Sequence, residues 1–94
     1  MYEIPLKPVP VQRTATEING VLLEISLIPR LGRLYATVSA DRRVLIRERL
    51  CRHGEPLVRE AYRGLAGELY FIDTAGEEDP AWPELGSRYR LVYA

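Results

Sequence analysis

Cys51 and His53 are the residues whose types and spacing could support covalent chemistry. They are the only cysteine and the only histidine in the chain, and on a strand residues two apart share a face. A thiolate–imidazole pair is therefore conceivable. The local sequence CRHG is typical of a strand that ends in a turn, which favours a buried, inert thiol. A lone cysteine also excludes an internal disulfide and every multi-cysteine metal site. Since the Cys51–His53 pair is the candidate for covalent catalysis and its setting favours an inert thiol, we expect no catalytic residues and no enzyme activity.

The acidic run Glu77-Glu78-Asp79 is the other group of residues that could bind a ligand, through carboxylate oxygens that suit Ca²⁺. The run lacks the spaced ligands and the turn glycine of a calcium loop, and it lies beside prolines. We interpret residues 74–86 as an exposed acidic loop. The glycines are scattered and form no phosphate-binding loop. The sequence therefore predicts neither a metal nor a cofactor.

The net charge is zero, but the charge is unevenly distributed along the chain. Residues 30–63 hold nine arginines against four acidic residues, whereas residues 64–94 hold two arginines against six acidic residues. The basic middle segment and the acidic C-terminal segment either neutralise each other within one fold or pair between copies that assemble head to tail. No apolar run approaches the length of a membrane helix, and Glu3 with the prolines that follow is unlike a signal peptide. We expect synthesis and retention in a reducing compartment, and no membrane contact.

Hydrophobic alternation predicts β-structure over most of the chain. The strongest signal is a hairpin in which residues 12–18 and 21–28 flank Asn19-Gly20, a pair that favours a two-residue turn and places Ile18 opposite Val21. Further strands are predicted at 33–39, 44–50, 67–73 and 87–93, and a short helix at 57–63 between Pro56 and Gly64. The predicted fold class is all-β with one short helix, as a small antiparallel β-barrel or sandwich of about five to seven strands.

The first eleven residues form a proline-rich segment that we predict to be an extended arm, followed by a single β-domain over 12–94. Pro5, Pro8 and Pro10 forbid a helix and disfavour a central strand. Tyr2, Ile4 and Leu6 alternate as the residues of a strand do, so the arm could pair at a sheet edge or occupy a groove. The sequence favours neither of two docking sites for the arm, the surface of its own domain and the surface of a neighbouring protein. We expect deletion of residues 1–10 to leave the domain folded.

A nucleic-acid-binding barrel is an alternative function. Small β-barrels stack bases on aromatic rings beside a basic groove. Five aromatic residues could take this role near the arginines of 42–52, namely Tyr35, Tyr62, Tyr70, Phe71 and Tyr89. The zero net charge argues against it, because attraction to phosphate supplies most non-specific affinity. A small regulatory or inhibitory protein would have a similar composition and stays open as well.

The order of features along nearly the whole chain resembles the small baseplate plug proteins of bacteriophages with contractile tails. The matching features are IPL at 4–6, the INGV hairpin turn at 18–21 with its alternating strand, the strand around 34–38, PL at 56–57, GLAGEL at 64–69, the acidic loop with Trp82 and LG at 85–86, and RLVY at 90–93. The chain departs from the family in having Tyr35 where an aromatic pair or a tryptophan is usual, and Asp41-Arg42-Arg43 where a glycine-bearing turn is usual.

The resemblance implies a structural protein of the virion, synthesised in the bacterial host cytoplasm, located at the tail-tip hub and without a catalytic site. A phage-encoded regulatory or inhibitory protein is the alternative in the same setting. It implies contacts with hub, tube or spike proteins and several copies in a symmetric assembly, with nucleic acid an unlikely partner. Surface residues of the arm, the basic strand and the acidic loop are the predicted interface. These are Tyr2, Ile4, Leu6, Arg42, Arg43, Arg47, Glu77, Glu78, Asp79 and Trp82.

Overall fold

Seven strands in two antiparallel sheets build the fold in a computed structural model that describes residues 2–60, 62 and 64–94. The strands are β1 (Tyr2–Ile4), β2 (Gln12–Ile18), β3 (Val21–Arg30), β4 (Arg33–Ala40), β5 (Arg43–Leu50), β6 (Leu69–Asp73) and β7 (Tyr89–Tyr93). One sheet has the order β2-β3-β4-β5 and the other β1-β7-β6. The sheets enclose one apolar core and do not close on each other, so the all-β prediction is confirmed in its sandwich form. Among the described residues no helix is long and apolar enough to cross a bilayer.

The Asn19-Gly20 hairpin forms as predicted. Both turn residues have positive φ, at 53° and 78°, and Ile18 pairs with Val21. This geometry matches the right-handed twist of the flanking strands. The register directs one face of the hairpin into the core, where Leu23, Ile25 and Leu27 follow the turn pair as buried residues.

The same two-residue geometry recurs at the next two turns of the large sheet. Leu31-Gly32 joins β3 to β4 and Asp41-Arg42 joins β4 to β5, with positive φ at all four residues. The loop predicted at 29–32 is therefore shorter than expected, because β3 continues through Pro29 to Arg30. Proline is tolerated there because β2 begins opposite Leu27 and leaves the outer side of Pro29 without a neighbouring strand.

β5 is an edge strand with two irregularities in its pairing to β4. The register shifts on both sides of the Val38–Ile46 pair, and Glu48 has a φ of 43°. The Thr37 hydroxyl accepts the Glu48 backbone N–H at 3.1 Å, in place of a ladder bond. Bulges of this kind bend an edge strand and impair pairing with a further strand.

The helix predicted at 57–63 is wrong for the residues that the structure describes there; Ala61 and Arg63 lie outside them. Residues 53–59 instead run along the outer edge of β6, where Gly54 and Leu57 donate backbone N–H groups to Phe71 and Leu69. The Glu68 carboxylate accepts the next two N–H groups, from Val58 and Arg59, at 3.0 and 2.5 Å. These partners replace the intrahelical bonds. Within the described part of the chain, the one helical turn is a 3₁₀ segment at Trp82–Glu84, inside the predicted acidic loop.

The N-terminal segment is integrated into the sandwich. β1 pairs with β7 at the edge of the small sheet, with Ile4 opposite Leu91, and Ile4 is 1% exposed in the core. The Gln12 side-chain amide binds both backbone groups of Lys7: it accepts a hydrogen bond from the Lys7 N–H at 3.0 Å and donates one to the Lys7 carbonyl at 2.7 Å. Deletion of residues 1–10 would remove an edge strand and a core side chain. We therefore no longer expect that truncation to leave the domain folded.

Candidate partner-binding surfaces

An apolar cleft lies between the β3–β4 turn and the 3₁₀ segment. It has a volume of about 290 Å³ and is lined by residues 29–34 and 81–83. Leu31 stands at its rim with 96% of its surface exposed, and Trp82 is 36% exposed on the other side. The two walls are rigid for different reasons, since one is a two-residue hairpin turn and the other is a turn held by Pro83 at its second position.

Leu31 combines two unfavourable properties. A leucine in the left-handed region costs about 1–2 kcal/mol relative to glycine, and a fully exposed leucine gains nothing from burial. Neither property helps the isolated chain fold. Strained backbone and exposed apolar groups concentrate where proteins bind partners. The sequence predicts a loop at Leu31 and does not single it out as a candidate contact residue; the signal available was a leucine before glycine at a two-residue turn.

Cationic side chains flank this cleft. Arg30 forms an ion pair with Glu48, and its guanidinium carbon lies 5.6 Å from the centre of the Tyr35 ring. Arg33 lines the cleft directly and is exposed. A complementary partner surface would therefore present an apolar group with carboxylates around it.

The basic residues predicted as interface all lie on or beside β5. Arg42 and Arg43 are at its start and Arg47 is at its middle, and all three are exposed. The ion pairs of the described residues instead involve the arginines at positions 13, 30, 59, 88 and 90. The basic surplus of β5 is thus not neutralised by the acidic loop within the chain, which leaves it available to a partner.

The acidic loop is organised around Asp73, the buried residue that ends β6. Its carboxylate accepts two hydrogen bonds from Arg88, at 2.8 and 2.9 Å, and the backbone N–H groups of Ala75 and Glu78, both at 2.9 Å. Arg88 also pairs with Glu78 at 3.2 Å. The loop is therefore fixed in shape by one carboxylate and one guanidinium.

The three acidic residues predicted as a contact group have different surroundings. Glu78 pairs with Arg88, and Asp79 accepts the His53 backbone N–H at 3.0 Å. Glu77 is exposed on the loop. Two of the three predicted contact residues, Glu78 and Asp79, therefore have partners within the chain, and Glu77 faces solvent.

The Asp73 carboxyl predicts a specific acid sensitivity of the fold. Its hydrogen bonds from Arg88, followed by those from Ala75 and Glu78, hold its pKa well below the usual range despite burial. The stabilisation is fully present above the unfolded-state pKa of about 4 and is lost as pH falls through and below that value. We expect Asp73→Asn to lower stability at pH 7 and to lose less on further acidification than the wild type, measured as urea midpoints from pH 7 to pH 2. Parallel midpoint curves for the two proteins would contradict this assignment; Glu77→Gln controls for the loss of one loop charge.

Cys51 and His53 do not form a catalytic pair in the structure. Cys51 is buried, and desolvation, with a smaller contribution from Asp79, raises its pKa to about 12. Its thiol is protonated at neutral pH and is a poor nucleophile. His53 uses Nδ1 to accept the Asp73 backbone N–H at 3.0 Å, which orients its ring toward β6. His53 thus helps to fix the segment that covers the edge of β6, whereas the backbone N–H of Cys51 binds the Leu34 carbonyl on β4.

The aromatic residues do not form a stacking platform beside the arginines. Phe71 and Tyr89 are buried in the core, and Tyr35 is covered by Arg30. Tyr62 donates its hydroxyl to Asp41 at 3.3 Å, and Tyr70 belongs to the small sheet. The arrangement does not support base stacking along the basic strand.

The three arm residues predicted as interface have different positions. Tyr2 is 46% exposed, and its hydroxyl lies 3.0 Å from the Thr16 hydroxyl on β2. Leu6 is half-buried against the core. Ile4 is inside the core, which removes its side chain from any contact surface of the folded chain.

A family model described as "Cyanophage baseplate Pam3 plug gp18" matches residues 1–94 of the chain. The match covers the whole sequence and confirms the resemblance to baseplate plug proteins. No curated protein matches the chain.

Proposed function

We propose that the chain, which belongs to this cyanophage baseplate plug family, acts at the tail-tip hub of a contractile tail. Membership of the family gives the chain a structural role in the phage baseplate. At the hub it acts through protein–protein contacts with hub, tube or spike proteins, in several copies. The observation that supports a contact role is the exposed Leu31 tip beside Trp82, which costs the isolated chain free energy.

The cleft and its neighbours would supply both parts of a typical interface. Leu31 and Trp82 are the apolar anchors, and Arg33 lies at the rim of the cleft, where a charge sets orientation. The exposed residues Arg42 and Arg43 lie at the other end of β4 from the cleft, beside the β4–β5 turn, and Arg47 lies between the two ends; they are proposed as a separate basic contact along β5. Tyr2 and Glu77 remain proposed contacts on other parts of the surface.

Leu31→Asn is the variant that separates binding from folding. It creates a second Asn-Gly turn of the kind already present at 19–20, so we expect equal or higher stability in urea. Loss of the apolar anchor should weaken incorporation by about tenfold, as expected for a contact worth about 1–2 kcal/mol. The measurement is the copy number per purified virion, by quantitative mass spectrometry, in a phage complemented with the variant.

Val11→Asn is the matched control, because Val11 is also an exposed aliphatic residue, at 66%, and does not line the cleft. It should enter virions at the wild-type level. Wild-type copy number for Leu31→Asn would exclude the tip as a contact, and absence of the wild-type protein from virions would overturn the proposed role. A copy number that is a multiple of three would support a threefold hub ring.

A further inference from the structure

We propose that the free edge of β2 is a self-association surface, at which a second copy of this chain pairs through its own β2 to form a continuous eight-stranded sheet. This goes beyond the baseplate role and is independent of the tip contact at Leu31. Three observations support the self-association surface: the other sheet edges are blocked, β2 presents backbone groups that are unpaired among the described residues, and the charges along β2 are complementary to those of a second copy.

Three of the four sheet edges carry devices that prevent strand addition. β5 has two bulges and exposed arginines, and β1 has only three residues before Pro5. The edge of β6 is occupied, because Gly54 and Leu57 donate to its carbonyls. β2 has seven residues in unbroken register with β3 and no proline, lysine, glycine or bulge within it. It is the edge with the properties of a strand-pairing site.

The register with β3 fixes which backbone groups of β2 face outward. Ile18 and Val21 close a two-residue turn and are a hydrogen-bonded pair, so Thr16 and Thr14 also bond toward β3. The N–H and C=O groups of the alternate residues, Arg13, Ala15 and Glu17, therefore point to the open edge. No hydrogen bond found among the described residues outside the sheets uses these backbone groups.

A two-fold axis at Ala15 satisfies these groups and the side chains together. Antiparallel pairing places Ala15 opposite the second copy's Ala15, and Arg13 opposite the second copy's Glu17, twice by symmetry. The three residue pairs would form about six backbone hydrogen bonds. The small Ala15 at the centre allows close approach. Arg13 forms an ion pair with Glu24 on β3 of its own chain, but its side chain stays 69% exposed. In the paired sheet it would lie between Glu24 and the second copy's Glu17, so that opposite charges meet on the exposed face.

The experiment uses charge reversal and mixing, measured as molar mass by light scattering over a range of protein concentrations. The wild type should form a two-chain species. Glu17→Arg places arginine opposite arginine and Arg13→Glu places glutamate opposite glutamate, so each variant alone should dissociate at a concentration about tenfold higher or more. An equimolar mixture restores two Arg–Glu pairs and should regain the two-chain mass.

The mixing step also controls for folding, since a misfolded variant would not be rescued by its complement. Amide exchange gives a second readout, in which the N–H groups of Arg13, Ala15 and Glu17 become protected in the wild type at high concentration and stay unprotected in each variant. A wild type that remains a single chain, variants that associate like the wild type, or a mixture that stays dissociated would each overturn the proposal. Protection of these amides only when another tail protein is added would also overturn it, and would assign the edge to that protein.

Discussion

Gly86→Ala is expected to destabilise the fold by about 3 kcal/mol or more, the sum of a backbone and a steric penalty. The backbone penalty arises because Gly86 has a φ of 82°, where an alanine costs about 1–2 kcal/mol. The steric penalty arises because a Cβ atom at this position would lie 2.3 Å from the Leu6 carbonyl oxygen. Main-chain atoms on both sides leave no flexible group to move aside.

Gly54→Ala separates the two penalties. Gly54 has a similar φ of 69°, but nothing lies within 4 Å of its Cβ position. It should therefore lose only the backbone contribution of about 1–2 kcal/mol. Urea denaturation of both variants gives the comparison. Equal losses of unfolding free energy in the two variants would contradict the steric penalty, because they would mean that the acidic loop can move away from Leu6 at little cost.

Ile4→Ala should cost about 2–5 kcal/mol, the range found for truncating a buried isoleucine. Ile4 is 1% exposed and belongs to the same apolar cluster as Leu91, its partner on β7. A domain of this size has a total stability of about 5–15 kcal/mol, so the variant loses a large share of it. The expected result is a fall in melting temperature of about 10 °C or more.

Val11→Ala in the same segment provides the control for Ile4→Ala. Val11 is 66% exposed, and its truncation should change stability by less than about 0.5 kcal/mol. Calorimetry of the two variants tests whether the first eleven residues belong to the folded core. A small effect of Ile4→Ala, close to that of Val11→Ala, would restore the interpretation of a detachable arm.

The hairpin at Asn19-Gly20 could be predicted because two local signals agree there. The turn pair and the alternation of the flanking residues specify the same register, and no distant contact is needed. The turn at Leu31-Gly32 was harder, since Pro29 suggests a loop and a leucine is an unfavoured residue at positive φ. Its place in the structure depends on where β2 ends, which the local sequence does not encode.

The errors have a common physical origin in long-range hydrogen bonding. Pro56 and Gly64 have the positions of helix start and stop signals, but the N–H groups between them bind β6 and Glu68 instead. The strand at Tyr2–Ile4 was left open because its partner lies at the other end of the chain. The sequence did not indicate Leu31 as a candidate contact, because its exposure at a turn depends on the whole fold.

The sheet topology separates contacts that form locally from those that require the whole chain. β2 to β5 follow one another through two-residue turns, so each pairing closes a very short loop. The pairing of β1 with β7 brings together residues such as Glu3 and Arg90, 87 positions apart. Because closing a long loop costs more entropy, we expect the four-stranded meander to form early and the N-terminal strand to dock late. A change at Ile4 would then act mainly by accelerating unfolding, with little effect on the rate at which the large sheet assembles.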